Sequence, residues 1–101
     1  MRRATTPIHT FNFPENVKVE QVTEALVSYS QNGCKILEKT LKDLTADKTN
    51  NCFQLALTED ETKLFAPGKA LVQVRVKING GALASQMIWL TVKPTLDSEG
   101  L

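Results

Sequence analysis

The segment 70–78 alternates apolar and polar residues with a period of two, and this alternation constrains the fold more than any other feature. Its apolar positions are Val72, Val74, Val76 and Ile78, and its polar positions are Gln73, Arg75 and Lys77. Because successive side chains of a strand point to opposite faces, the pattern predicts a strand with one buried face. A strand that buries one face and exposes the other is typical of antiparallel sheets.

An Asn32-Gly33 pair predicts a hairpin between 23–31 and 34–41. A two-residue turn of this kind needs positive φ at both central positions, and Asn and Gly tolerate it best. The segment 19–31 also carries apolar residues three and four apart, which fits a helical stripe. The turn that follows favours the strand, although the pattern within 19–31 leaves both structures open.

The rest of the chain continues in short apolar segments separated by turns. They are a strand within 8–13, a loop over 44–51, a strand over 52–57, one helical turn near 58–65, and a strand over 83–92 that follows a turn at 79–81. About six alternating strands with short connections predict an all-β chain, folded as a small antiparallel β-sandwich of the immunoglobulin-like kind. We expect one domain over 1–101, with flexible ends at about 1–6 and 94–101.

Composition excludes several classes of function. Twelve Lys and Arg residues oppose eleven Asp and Glu residues, and a net charge of +1 argues against a nucleic-acid-binding face. No apolar run approaches the roughly 20 residues that cross a bilayer, and the segment 1–7 lacks the apolar stretch of a secretory signal. Cys34 and Cys52 are predicted to be reduced thiols on strands, and a single histidine excludes a standard Cys/His zinc cage.

Catalytic or metal-binding patterns are scarce in the sequence. His9 has no neighbouring nucleophile or acid at a spacing that suggests a triad, and we expect it to be a structural or solvent-facing strand residue. The acidic run 59–61 follows Thr58 in the arrangement of a capping box, which explains it without a metal. The sequence therefore predicts a protein that is not an enzyme, with no catalytic residue, cofactor, metal or small-molecule substrate.

Met87 and Trp89 are the strongest sequence evidence for an interface. They share the strand face opposite to the apolar core positions of 83–92, and both residue types are enriched in the centres of interfaces. Tyr29 is the third candidate interface residue, because only Tyr29 and Trp89 could supply the aromatic platform that a carbohydrate-binding module needs. The alternative is that the face bearing Trp89 packs under the C-terminal tail or under another sheet.

Several segments of the chain, taken in order, resemble small uncharacterised proteins of tailed phages and prophages of Firmicutes. The segments are Met1–Phe11, Tyr29–Gly33, Leu57–Thr62, Val72–Val76 and Asn79–Ser85. The resemblance extends over about residues 1–92 and implies a virion structural or accessory role with no known activity. It also implies partners among virion proteins or copies of the chain itself, in a virion assembled in the bacterial host cytoplasm.

The combined expectation is a non-enzymatic virion protein, associated with the tail or baseplate, that acts through protein–protein contacts. A free sheet edge could extend a neighbour's sheet by strand addition. Two alternatives stay open: an immunoglobulin-like adhesion or carbohydrate-binding module, which needs Tyr29 and Trp89 as an aromatic platform, and an inhibitor of a host enzyme. Nucleic acid and membrane are not expected partners.

Overall fold

The computed structural model describes residues 1–79, 81 and 83–94, and within them the chain is an antiparallel β-sandwich. Its strands are β1 (Ile8–Asn12), β2 (Val22–Gln31), β3 (Cys34–Thr40), β4 (Thr45–Asp47), β5 (Cys52–Ala56), β6 (Gly68–Ile78) and β7 (Leu83–Val92). They form a three-stranded sheet in the order β1-β5-β4 and a four-stranded sheet in the order β3-β2-β6-β7. One short helix, α1 (Glu59–Thr62), lies in the predicted place. The predicted fold class is confirmed.

The core lies between the two sheets and consists of the alternate residues that the strand patterns direct inward. The four-stranded sheet contributes Val27, Val72, Val74 and Val76, and the other sheet contributes Phe11, Phe53 and Leu55. All of them are buried. Each such side chain contributes about 1.5–3 kcal/mol when it leaves water, so these inward faces hold the two sheets together.

The sequence left open whether 19–31 is a helix or a strand, and the structure shows a hairpin of β2 and β3. Asn32 and Gly33 both have positive φ, at 52° and 80°, as the two-residue turn requires. The strand begins at Val22, and the preceding residues Val19–Gln21 form a 3-10 turn. The helical spacing in the sequence therefore reflects this single turn followed by a strand, with Val19 and Val22 both buried.

The predicted loop over 44–51 is wrong in part, because Thr45–Asp47 forms β4 and pairs with β5. The segment is polar and only three residues long, so it has no alternation that could identify it as a strand. Its pairing depends on β5, which supplies the backbone partners from the middle of the three-stranded sheet.

Asn51, which follows β4, holds the segment 13–19 between β1 and the 3-10 turn. Its Oδ1 accepts a hydrogen bond from the N–H of Val19 at 3.0 Å. Its Nδ2 donates to the carbonyl oxygens of Phe13, Pro14 and Val17 at 2.8–3.1 Å. The φ of Asn51 is 52°, in the left-handed region that Asn enters more readily than most residues. One side chain thereby replaces the regular strand pairing that this end of the sandwich lacks.

Residues 1–6, whose flexibility stays a prediction, form several contacts with the rest of the chain. The Met1 amino group donates to the carbonyl of Thr91, and the N–H of Arg3 donates to the carbonyl of Lys93. The N–H of Thr5 donates to the hydroxyl of Thr62, which is buried. The first residues thus lie along the end of β7. Of the other predicted flexible end, 95–101 lies outside the described residues.

Two substitutions of Asn51 distinguish the contribution of its hydrogen bonds to stability from that of its backbone conformation. We expect Asn51→Gly to lower the free energy of unfolding by about 2–3 kcal/mol, because the N–H and carbonyl groups it satisfies lose their partner. Asn51→Ala should lower it by about 1 kcal/mol more, since alanine resists positive φ. Urea unfolding followed by circular dichroism measures both. Equal stability of the wild type and the two variants would contradict this role.

Candidate interaction surface

The outer face of β7 carries three of the large apolar side chains that the described structure exposes. Leu83, Met87 and Trp89 are 79%, 65% and 68% exposed, and they alternate with side chains that point into the sandwich. The predicted outward orientation of Met87 and Trp89 is therefore confirmed, whereas their role in an interface stays a prediction. Leu83 was not predicted as an interface residue, although its position in the strand places it on the same face as Met87 and Trp89.

The strand β7 is an edge of the four-stranded sheet, and its hydrogen-bonding pattern fixes which backbone groups point outward. The carbonyl of Thr91 accepts from the Met1 amino group, on the side of β7 away from β6. In an antiparallel pair, backbone groups alternate between the partner strand and the opposite side. The N–H and C=O groups of Leu83, Ser85, Met87 and Trp89 therefore point away from β6 as well.

We call this outward row of backbone groups, from Leu83 to Trp89, the β7 edge. Among the described residues, the backbone that pairs with β7 on this side belongs to residues 1–3 and lies beside Thr91 and Lys93, beyond the row. The side chain of Gln86 points inward and donates to the carbonyl of Asn12 in β1. The β7 edge is thus a row of donors and acceptors without a strand beside it in the described chain.

The two edges of the same sheet differ sharply in the features that prevent strand addition. Strand β3 carries Lys35, Glu38 and Lys39, and its register with β2 shifts at an irregularity near Tyr29. Charges and bulges are the common means by which proteins protect an edge. Strand β7 has ten residues with no charge and no proline, and it pairs with β6 in continuous register. The lack of charge and proline in 83–92 can be read from the sequence, but only the strand order of the sheet identifies β7 as an edge.

A groove of about 660 Å³ lies on the same outer face, beside the start of β7. Leu26 and Leu41 line it together with Leu83, and Arg75 and Lys77 of β6 add positive charge. The exposed apolar residues of β7 therefore continue into a shallow apolar depression across the sheet. The outer face is a connected surface, rather than a set of isolated side chains.

Tyr29 does not belong to this surface, and its prediction as an interface residue is wrong. Its side chain is fully buried on the inner face of β2, where its ring contacts Phe65 edge-on at a centroid distance of 5.6 Å. Burial, and next the charge of Glu61, raise the pKa of the Tyr29 hydroxyl, which is therefore neutral. Tyr29 and Trp89 point to opposite faces of one sheet, so they form no common aromatic platform.

His9 serves a contact between the two sheets. Its Nδ1 lies 2.7 Å from the hydroxyl oxygen of Tyr29, and the two rings are 5.7 Å apart. The Nε2 atom is buried without a hydrogen-bond partner among the described residues. Burial, and next the charge of the N-terminal amino group, lower the pKa of His9, so the neutral ring is favoured.

The acidic run 59–61 has the structural role that its sequence predicts. Thr58 and Glu61 form both hydrogen bonds of a capping box at the start of α1. Glu61 also forms a salt bridge with Lys39. Burial opposes ionisation of Glu61, but the hydrogen bonds from Lys39 and Thr58 outweigh it and lower the pKa of this carboxyl. These contacts tie α1 to β3.

The described residues contain no group of three or more His, Cys, Asp and Glu side chains that could hold a metal ion. Cys34 is exposed on β3, and Cys52 is buried on β5 in the other sheet. Both thiols are free, as predicted. No helix in the described part of the chain has the length and apolar character needed to cross a membrane.

The chain resembles a solved protein in fold. The crystal structure of CopC from Methylosinus trichosporium OB3b superposes with a TM-score of 0.59 over 92% of this chain and 82% of that chain, at 18% sequence identity. No family model and no curated protein matches the sequence. At this identity the likeness establishes the β-sandwich fold alone.

These comparisons correct the functional prediction. The solved structure whose fold the chain shares is that of CopC from Methylosinus trichosporium OB3b, and no match connects the chain with a phage. The prediction of a tail or baseplate virion protein is therefore wrong. The physical reason is that the segments on which the resemblance rested are short, and sequence patterns of this kind recur in many unrelated β-sandwiches. No match supports the adhesion, carbohydrate-binding or host-inhibitor alternatives either.

The lowered pKa of His9 predicts that acid destabilises the fold. Because the pKa is lower in the folded than in the unfolded chain, unfolding takes up a proton as pH falls below about 6.5. The free energy of unfolding should therefore decrease between pH 7.5 and 5, and less so for His9→Gln, which cannot titrate. Urea unfolding across this range measures the difference. The same pH dependence in both proteins would contradict the assignment.

Proposed function

We propose that this chain is a non-catalytic binding module that takes an extended strand of a partner protein at the β7 edge. The observation that carries the proposal is the contrast between the two edges of the four-stranded sheet. Strand β3 is charged and irregular, whereas β7 is uncharged, regular and ten residues long. An edge of the second kind is a template for the strand of another chain, and proteins that do not use such an edge usually protect it.

Backbone hydrogen bonds supply the general affinity in this arrangement. An added strand pairs with the outward N–H and C=O groups of Leu83, Ser85, Met87 and Trp89, whatever its own sequence. The new bonds replace bonds to water, so each contributes only about 0.5–1.5 kcal/mol net. Backbone pairing therefore positions the partner, and specificity has to come from side chains.

Trp89 and its neighbours supply the side-chain recognition. Trp89 lies directly opposite Leu71 of β6, and Met87 lies opposite Gln73. An added strand places its own outward residues on the other side of Trp89, so that the indole ring becomes enclosed between two apolar neighbours. Tryptophans buried in this way are prominent among the residues whose truncation costs an interface roughly 2 kcal/mol or more.

The arrangement of the titratable side chains supports binding rather than catalysis. His9 contacts Tyr29 across the sandwich, and Glu61 is held by Thr58 and Lys39. None of these groups lies on the outer face of β7, where the exposed apolar surface is. His9, Tyr29 and Glu61 are thus on the other side of the sheet from the surface able to bind a partner.

Site-specific photo-crosslinking tests the proposal in the cells that naturally produce the protein. A photoreactive phenylalanine analogue at position 87 should crosslink to a protein, because its side chain lies beside the side chains of the added strand on the outer face. The matched control is position 8 of β1, since Ile8 is 64% exposed, nearly as much as Met87. Crosslinks at position 87 and none at position 8 are expected. Equal crosslinking at both positions, or none at either, would contradict the proposal.

Trp89→Ala should remove binding while leaving the fold intact. The side chain is mostly exposed, so we expect the free energy of unfolding to change by no more than about 0.5 kcal/mol. In the same variant, the crosslink from position 87 should become at least about tenfold weaker, which corresponds to about 1.4 kcal/mol of binding energy. Unfolding curves and crosslink yields measure the two effects. Undiminished crosslinking would show that Trp89 is not an anchor.

A further inference from the structure

We infer that the strand added at the β7 edge is β7 of a second copy of this chain, paired antiparallel about a two-fold axis. The inference rests on the proposed function and identifies its partner. It follows from three properties of the strand: the extent of its unpaired backbone, the sizes of its outward side chains, and its charge. One antiparallel register of the two β7 strands suits all three properties.

The unpaired backbone defines that register. A two-fold axis perpendicular to the sheet at Gln86 places Leu83 opposite Trp89 of the second copy and Ser85 opposite its Met87. Every outward N–H and C=O group of the β7 edge then acquires a partner. The pairing ends where residues 1–3 begin to cover the strand beside Thr91. An axis at Met87 or Ile88 would bring the covered Thr91 into the ladder and leave outward groups at Leu83 unpaired.

The outward side chains fit one another in this register. Trp89 has Leu71 on one side, in β6, and acquires Leu83 of the second copy on the other. Met87, with Gln73 on its β6 side, acquires the small Ser85 of the second copy. Large residues thus meet apolar or small ones at each position, and cross-strand pairs of this kind stabilise a sheet by about 0.2–1 kcal/mol each.

Charge distribution also favours a second copy. Strand β7 has no ionisable side chain, so pairing it with itself brings no like charges together. The nearest cations, Arg75 and Lys77, belong to β6 and lie one strand further from the axis in each copy. Two intervening strands separate them from their symmetry mates by about 14 Å, beyond the screening length of about 8 Å at physiological salt.

Sedimentation velocity over a range of concentrations tests the inference on the full chain. The wild type should form a dimer, and Met87→Lys should raise its dissociation constant at least about tenfold, because it places two like charges beside the axis. The matched control Ile8→Lys adds the same charge at an equally exposed position of β1 and should dimerise as the wild type does. Mixing Met87→Lys with Met87→Glu should restore the dimer, since the two substituted residues are diagonal neighbours across the axis.

Each alternative occupant gives a different outcome. A wild type that stays monomeric while position 87 still crosslinks to another protein overturns the second copy but leaves the proposed function standing. A monomer without any crosslink overturns both. A chain ending at residue 94 that dimerises, when the full chain does not, identifies 95–101 as the occupant and overturns the inference. A Met87→Lys protein that is folded by circular dichroism and still dimeric places the interface elsewhere and overturns the inference as well.

Discussion

The hydrogen-bonding requirement of a sheet edge is the constraint on which the proposed binding role of this protein depends. The backbone groups of β6 form hydrogen bonds with β2 on one side and with β7 on the other. Those of β7 form them with β6 on one side, and on the other side only beyond Trp89, with residues 1–3, among the described residues. Charge and irregularity protect the opposite edge of the sheet, at β3. The difference between these edges supports the proposed binding role, because their apolar content alone would not distinguish a binding surface from ordinary exposed residues.

The core provides the rigid support that such an edge needs. Valines of β2 and β6 fill the space beneath the outer face, while Asn51, His9 and Gln31 fix the connections at its ends with hydrogen bonds. Gln31 binds both the N–H and the carbonyl of Ala66, so it holds the segment that leads into β6. The outward side chains of β7 are therefore presented by a strand that is held in place from below and along one side.

The sequence was sufficient for the fold class and for most strands, because alternation and the Asn32-Gly33 turn are local signals. It was insufficient for β4 and Asn51, whose conformations depend on partners 32–38 residues away or on pairing with β5. The outward orientation of Met87 and Trp89 could be predicted from parity. That β7 is an edge could not, since strand order is a property of the assembled sheet. Tyr29 was misassigned because residue type was given more weight than its place on the inward face.

Residue-resolved hydrogen exchange of the full chain, measured at low and high protein concentration, tests the central claim most directly. The amides of Ala84, Gln86 and Ile88, which point toward β6, should be protected at both concentrations. Those of Ser85, Met87 and Trp89 should exchange rapidly in dilute solution and become protected as the edge acquires a strand. Protection of both sets at a concentration where sedimentation shows a monomer would show that the chain already covers this edge, and it would contradict the proposed binding role.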